Sequence, residues 1–507
     1  MNPWTLLLFV AGYFAILLGM AWFTSRNSNN DTFFIGNKNS NWMLVAFGMI
    51  GTSLSGVTFV SVPGGVGDFG AGGFKGFAYM QVSIGYLIGY ATIAFVLLPL
   101  YYRLNLTSIY NYLLQRFGNI AYKTGAIFFI LSRTVGATAR LYLVINILQY
   151  FILDKMGVPF MVTAAVILLM ILLYTFEGGV KTIVYTDTLQ TTLMISGLVI
   201  CVIYILHHFN LSFGQALSQI KDHGYFNVFN FDVNSKGYFL KQILGGAFIT
   251  IAMTGLDQEM MQKNISVKRL GDSQKNMIVM SIVLTIVLFL FLILGGLLYF
   301  FATSQGAVYS GKELLLNGGN VIGDKLFPTV ALNMLPPAIG IIFIIALISA
   351  LFPSADGALT ALTSSFCIDM LDIKHRTEWN EKKRTSVRLT VHISMAVIFF
   401  LCIVMFKILN DKSVIDTILD LAGYTYGPLL GLFSFGILTK RRIANTYAIT
   451  AIAFASPIIC YILSINAAKW FNGFQIGIEL LIINGLITFL GLLAISKKAD
   501  NSALALS

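Results

Sequence analysis

Residues Ser349 to Ser365 read Ser-Ala-Leu-Phe-Pro-Ser-Ala-Asp-Gly-Ala-Leu-Thr-Ala-Leu-Thr-Ser-Ser and continue directly from the apolar run Ala338–Ile348. The stretch holds a proline (Pro353), an acid (Asp356) and several hydroxyls. Hydrocarbon offers such groups no partners, so they must face protein, water or an ion. On a helix, Ala350, Ser354 and Gly357 share one face, and Ser349, Pro353 and Asp356 the neighbouring one. Pro353 has no N–H to give the carbonyl of Ser349. That freed carbonyl beside the Ser354 hydroxyl makes part of a cation site. The other reading is a structural kink, which leaves Asp356 still in need of a partner.

The rest of the chain supplies the setting. Of 507 residues, 57% are hydrophobic and 11% charged, against about 25% charged in an ordinary globular domain. A polytopic helical membrane protein fits this balance. The formal net charge of +11 is accounted for by basic cytoplasmic loops and does not call for nucleic acid. The four cysteines lie in apolar stretches without metal-like spacing, which reads as buried free thiols. The first apolar run, Pro3 to Phe23, lacks a basic leader and a cleavage site. It reads as an uncleaved span with its N-terminus outside.

About thirteen runs reach the length of a bilayer crossing. They lie near 2–23, 41–66, 76–102, 120–152, 157–176, 185–206, 237–260, 275–302, 335–371, 387–406, 415–438, 443–465 and 475–496. The loops alternate in charge. One set carries Arg26, Lys38, Arg103, Arg116, Lys263, Lys268, Arg269, Lys374, Arg376, Lys440, Arg441 and Arg442, among others; the other set includes Lys75, Lys155, Lys221, Lys312 and Lys412. The roughly two-to-one bias puts the first set, and the C-terminus, in the cytoplasm. Two longer outer connections, about 207–236 and 303–334, are either plain loops or short helices forming a lid.

Several spans carry groups that lipid rejects. The second contains Gly51-Thr52-Ser53-Leu54-Ser55-Gly56, which reads either as a broken helix with carbonyls free for a cation or as close packing of small residues. The fourth contains Arg133 and Arg140, two helical turns apart on one face. Arg133 is near enough to the cytoplasmic end to snorkel, whereas Arg140 lies deeper. Arg140 needs an acid, carbonyls or an anionic solute. The sixth opens Glu177-Gly178-Gly179 and places Asp187 among Thr186, Thr188 and Thr191. A carboxylate with hydroxyls suits Na⁺ or a carried proton. Asp257 reads as interfacial. Asp420 precedes another break at Gly423-Tyr424-Thr425-Tyr426-Gly427-Pro428.

Together these residues resemble the sodium:solute symporter family. The strongest matches are Gly178-Gly179 with Tyr185-Thr186-Asp187-Thr188-Leu189-Gln190, Asp257-Gln258 with Gln262-Lys263, and Ser354 through Asp369. Thr107 to Leu113 with Arg116-Phe117-Gly118 is similar to the family's segment before the fourth span. The resemblance covers nearly the whole chain. It implies an all-α fold with a LeuT-like 5+5 inverted repeat, here 41–206 and 237–438. Extra helices would lie at 2–23 and 443–496, all in one transporter domain. The first helix of each repeat, near 41–66 and 237–260, would be discontinuous.

The resemblance also implies sites. The family's main sodium site matches Gly51, Leu54, Ala350, Pro353 and Ser354. Pro353 stands where relatives offer a hydroxyl, and the Ser349 carbonyl that it frees is expected to substitute. A second cation or proton site matches Asp187, Asp356 and Gly357, with the two acids facing one another. The solute cavity would draw on Ser55, Thr58, Gln81, Ser83, Arg140, Thr250, Met253, Thr254 and Asp420. Arg140 matches about the position of a substrate-facing arginine in sialic acid transporters, and Asp420 is its possible partner across the cavity.

The expectation is a secondary active symporter that imports a small organic solute (a sugar, sialic acid or other carboxylate) with Na⁺ by alternating access. It would work as a monomer in the cell membrane, a bacterial inner membrane, without an organic cofactor. Proton coupling is the alternative, given Asp187, Asp356 and Asp420. No nucleophile, metal or acid–base motif near the surface favours an enzyme. Broken helices at inverted positions are unlike the pore-lining rings of a channel.

Overall fold

Long runs of Leu, Ile, Val, Phe and Ala satisfy their backbone polar groups in hydrocarbon only by coiling into helices. The structure, a computed structural model, describes residues 3–24, 33, 40–67, 76–176, 179–310, 313–316, 319–373, 375–409 and 414–498. Arg26, Lys38, Lys75, Glu177, Gly178, Lys312, Lys374 and Lys412, all used in the sequence reading, lie outside the described residues.

Helix α1 (Pro3–Thr24) is followed by a helix in two pieces, α2 (Trp42–Ser53) and α3 (Gly56–Gly64), bent by 53°. Then come α4 (Tyr79–Arg103), the short α5 (Asn111–Phe117), α6 (Asn119–Met156), α7 (Phe160–Thr175), α8 (Gly179–His208) and α9 (Phe213–Asp222). A second broken pair, α10 (Phe239–Gly255) and α11 (Gln258–Ile265), is bent by 66°. After α12 (Leu270–Ser304), a small antiparallel sheet is formed by β1 (Val308–Ser310), β2 (Glu313–Leu316) and β3 (Gly319–Asn320). The chain continues through α13 (Leu326–Thr329), α14 (Pro337–Met370), α15 (Glu381–Leu409), α16 (Val414–Thr425), α17 (Gly427–Leu438), α18 (Thr446–Trp470) and α19 (Leu480–Ile495).

Among the described residues, eight helices are long and apolar enough to cross a membrane, and the two bent pairs pass the same test. Helices α7, α17 and α19 are shorter apolar helices. The connections at 207–236 and 303–334 hold α9 and the small sheet.

Helix contacts are close where side chains are missing, as membrane packing favours. A β-carbon on Gly85 of α4 would fall 2.2 Å from the Ile243 carbonyl of α10, and one on Gly246 would fall 2.4 Å from the Val82 carbonyl. Helix α8 meets α14 in the same way, with Gly197 against Ala346. At the C-terminal end of α3, a β-carbon on Gly64 would lie 2.2 Å from the Gly323 carbonyl, and Tyr299 Oη donates to the Gly64 carbonyl. Helix α14 is buried from Phe343 to Ser365, apart from Ile345. Its hydroxyls and Asp356 therefore face protein rather than lipid.

Candidate ion and solute sites

The glycine and hydroxyls ending α2 open the helix where the sequence suggested. The Leu54 N–H still donates to the Ile50 carbonyl at 2.8 Å, Ser55 is extended, and Phe59 restarts the ladder on the Ser55 carbonyl at 3.1 Å. The last-turn carbonyls of α2, Gly51 among them, are left for other partners, at the negative end of a half-helix. Helix α14 faces this break. A β-carbon on Gly51 would stand 3.6 Å from Pro353 Cγ, and one on Gly56 would stand 3.8 Å from the Leu351 Cα. Pro353, inside α14, frees the Ser349 carbonyl. Ser354 Oγ donates to the Leu351 carbonyl at 2.9 Å, so its hydrogen is occupied while oxygen lone pairs remain. Gly51, Leu54, Ala350, Pro353 and Ser354 are thus brought to one locality.

Sequence reasoning named Thr191 only as a neighbour of Asp187. Its buried Oγ1 has no hydrogen-bond partner among the described residues. It lies 2.1 Å from where a Gly51 β-carbon would be, so it points at the break. The signal was the i, i+4 spacing from Asp187, which puts both on one face of α8.

The second break, at Leu256 and Asp257, anchors a buried ionic chain. Asp257 caps α11, accepting from the N–H groups of Glu259 at 2.9 Å and Met260 at 3.3 Å, and from Tyr426 Oη at 2.8 Å. It is fully buried, not interfacial as its position near the end of a span suggested. The apolar count along the span could not show that α11 continues inward past the bend. Arg133 of α6 pairs with Glu259 and lies 3.9 Å from Asp257. It is buried rather than snorkelling, because two acids of the broken helix reach it there.

One turn further along α11, Lys263 Nζ lies 2.8 Å from Asp187 Oδ2, 2.7 Å from Thr52 Oγ1 and 3.5 Å from Glu259 Oε1. Asp356 takes other partners. Its Oδ2 accepts from Tyr174 Oη at 2.7 Å and its Oδ1 from the Gly357 N–H at 2.5 Å. Asp187 and Asp356 lie within electrostatic reach of each other, but each is hydrogen-bonded elsewhere. Gly357 borders Glu259, whose Oε1 would lie 2.2 Å from an added β-carbon.

Beside the ionic chain is a cavity of about 90 Å³ lined by Thr52, Ser53, Leu54, Thr58, Tyr79, Tyr86, Tyr90, Arg133, Arg140, Thr250, Met253, Thr254 and apolar neighbours. Tyr79 and Tyr86 hydroxyls are 3.0 Å apart, and Tyr90 reaches Ser53 at 3.4 Å. Arg140 faces this space, half-buried, and makes no hydrogen bond or ion pair among the described residues. Thr58, Arg140, Thr250, Met253 and Thr254, all expected in the solute cavity, line this space.

Four expected members do not line the cavity. Gln81 is buried among backbone partners, donating to the Ala78 and Gly237 carbonyls. Ser83 Oγ donates to Thr285 Oγ1 at 3.4 Å. Ser55 is the extended residue before α3, and its side chain makes no capping hydrogen bond. Asp420 is exposed on α16, which turns it away from Arg140, so the pairing of the two is not formed. Helical phase, which the sequence leaves loose, decides Gln81, Ser83 and Asp420, and the break itself decides Ser55.

Two broken helices, a polar cavity between them and unwound carbonyls against a proline-bearing helix define a secondary transporter. Residues 33–452 match the model of the sodium:solute symporter family, and the chain belongs to that family. It is similar to the sodium/sialic acid symporter NanT of Aliivibrio fischeri, 22% identical over 494 residues, covering 94% of this chain and 90% of the relative. The sodium/sialic acid symporter SiaT of Proteus mirabilis is 24% identical over 475 residues, covering 90% and 88%. The mouse sodium-coupled monocarboxylate transporter 1 is 27% identical over 417 residues, covering 80% and 64%. The substrate-bound, outward-open structure of a Na⁺-coupled sialic acid symporter shares the fold, with a TM-score of 0.80 at 19% identity over 98% of this chain and 99% of that one. The chain is a multi-pass membrane protein and a sodium-coupled solute symporter.

Proposed function

We propose that the solute is a small organic acid whose carboxylate pairs with Arg140. The single observation that carries this reading is Arg140 itself, a guanidinium facing the cavity without a partner among the described residues. Arginine cannot shed its proton, and a carboxylate matches its fork of donors. The surrounding Tyr79, Tyr86 and threonine hydroxyls suit the remaining polar atoms of such a solute. Relatives named for sialic acid and for monocarboxylates are named for acids, which supports the same class.

Sodium would bind at Gly51, Leu54, Ala350, Pro353 and Ser354, with the Ser349 carbonyl and Thr191 Oγ1 completing the oxygen set. Leu54 belongs to both the ion site and the cavity wall, so sodium binding would fix the helix end that the solute touches. Coupling is then a differential affinity of the two ligands for the outward-facing and inward-facing states. The remaining architecture is thirteen spans, the N-terminus outside and the C-terminus inside, in an inner membrane. Repeats at 41–206 and 237–438 are flanked by helices at 2–23 and 443–496. The protein acts as a monomer, without an organic cofactor.

The test is solute-dependent ²²Na⁺ uptake into proteoliposomes with a panel of sugars, sialic acids, amino acids and monocarboxylates. Acidic solutes should drive uptake, and Arg140→Ala should raise their KM far more than that of any neutral solute. Equal loss for neutral and acidic solutes overturns the carboxylate reading. Uptake driven by a pH gradient but not by sodium overturns the ion assignment.

A further inference from the structure

We propose that Lys263 is a built-in cation whose ammonium holds the place beside Asp187 that a second sodium would need, so that one sodium ion binds per protein. This rests on the main sodium site proposed above and says what happens at the neighbouring one.

The ammonium is surrounded as a bound cation would be. Asp187 Oδ2 and Thr52 Oγ1 lie 2.8 and 2.7 Å from Nζ, and Glu259 Oε1 lies at 3.5 Å. All four residues are buried. The lysine is positioned by structure on both sides of it. Asp257 caps the start of α11, and Arg133 grips Glu259, one turn before Lys263. The stem is therefore aimed at Asp187 by a short, doubly anchored helix.

The facing residues of α14 leave a cation at this place to the oxygens of Asp187, Thr52 and Glu259. Pro353 turns its ring toward Gly51, Asp356 is engaged by Tyr174 and by the Gly357 N–H, and Gly357 has no side chain. A sodium ion at Asp187 would also stand against a fixed positive charge among buried residues, where like charges repel strongly. Lysine is the compact cation for this task, donating to Asp187 and Thr52 with the Glu259 carboxylate as a further counter-charge.

Equilibrium ²²Na⁺ binding to the purified protein in detergent tests this with sodium alone. Wild type should bind one sodium ion per protein with no cooperativity. Lys263→Arg should do the same. Lys263→Gln should bind two, because the vacated carboxylate at Asp187 then needs a cation. Two ions on wild type would overturn the inference and leave the main site standing. One ion on a Lys263→Gln variant that elutes as the wild type does would also overturn it. No sodium on wild type would overturn the main-site reading and this one with it. If Lys263→Gln fails to fold, the wild-type count decides alone.

Discussion

Gly357 of α14 lies against Glu259 of α11 so closely that an added β-carbon would stand 2.2 Å from Oε1 and 2.7 Å from the carboxyl carbon. Glu259 cannot swing aside, because Arg133 and Lys263 hold its carboxylate. Gly357→Ala should therefore cost about 1–3 kcal/mol through overpacking. The melting temperature of the purified protein in detergent should fall, and uptake with it. An unchanged melting temperature would show that α11 yields at this contact.

Asp257 serves as both cap and counter-charge. Asn keeps the capping oxygen but not the charge, whereas Ala loses both. Asp257→Ala should lose about 1 kcal/mol for the cap, and roughly 1–3 kcal/mol more for leaving Tyr426 and Arg133 short of a partner. Asp257→Asn should melt between that variant and the wild type. Equal melting of the two variants would mean that only the charge matters.

Thr191→Val should raise the half-saturating sodium concentration about tenfold, the effect of one ligand worth ~1.4 kcal/mol. Thr191→Ser retains the hydroxyl and should bind sodium as the wild type does. Ser354→Ala should shift sodium dependence in the same direction as Thr191→Val. Sodium-dependent uptake unaffected by both hydroxyl deletions would remove these side chains from the ion site.

Outside the spanning helices, Tyr225 and Tyr309 share a hydrogen bond of 2.6 Å. Burial pushes both phenols above the usual tyrosine range. A group whose value is raised on folding contributes its stabilisation in full below the unfolded range, near pH 10, and loses it as pH rises beyond. The melting temperature of the wild type should thus fall more steeply between pH 9 and 11 than that of Tyr309→Phe. Parallel curves would show that the pair does not govern alkaline stability.

The sequence exposed the interrupted helices and their chemistry unevenly. Gly51 through Gly56 announced the first break, because glycine and hydroxyls weaken a helix that its apolar neighbours would otherwise continue. The second break was expected near 237–260 from the resemblance alone, with no such local sign. Leu256 and Asp257 look like the end of a span, and only the fold shows α11 turning inward with Glu259 and Lys263 buried. Motif spacing brought out Asp187 and Arg140. It did not assign partners, since Lys263 reaches Asp187 from 76 residues away. Asp420 shows the limit from the other side: being near a predicted break did not fix which way its side chain turns. Gln81 and Ser83 are polar for packing reasons that hydropathy cannot separate from binding.

The contact between Gly64 and Gly323 has a practical meaning. The second half of the first broken helix is joined, backbone to backbone and through Tyr299, to the segment Gly323–Lys325, where Lys325 is exposed. Whatever grips that segment grips α3. An antibody fragment seated there would act as a brake on the transport cycle without entering the cavity, and a fluorophore at position 325 would ride with the helix and report its movement.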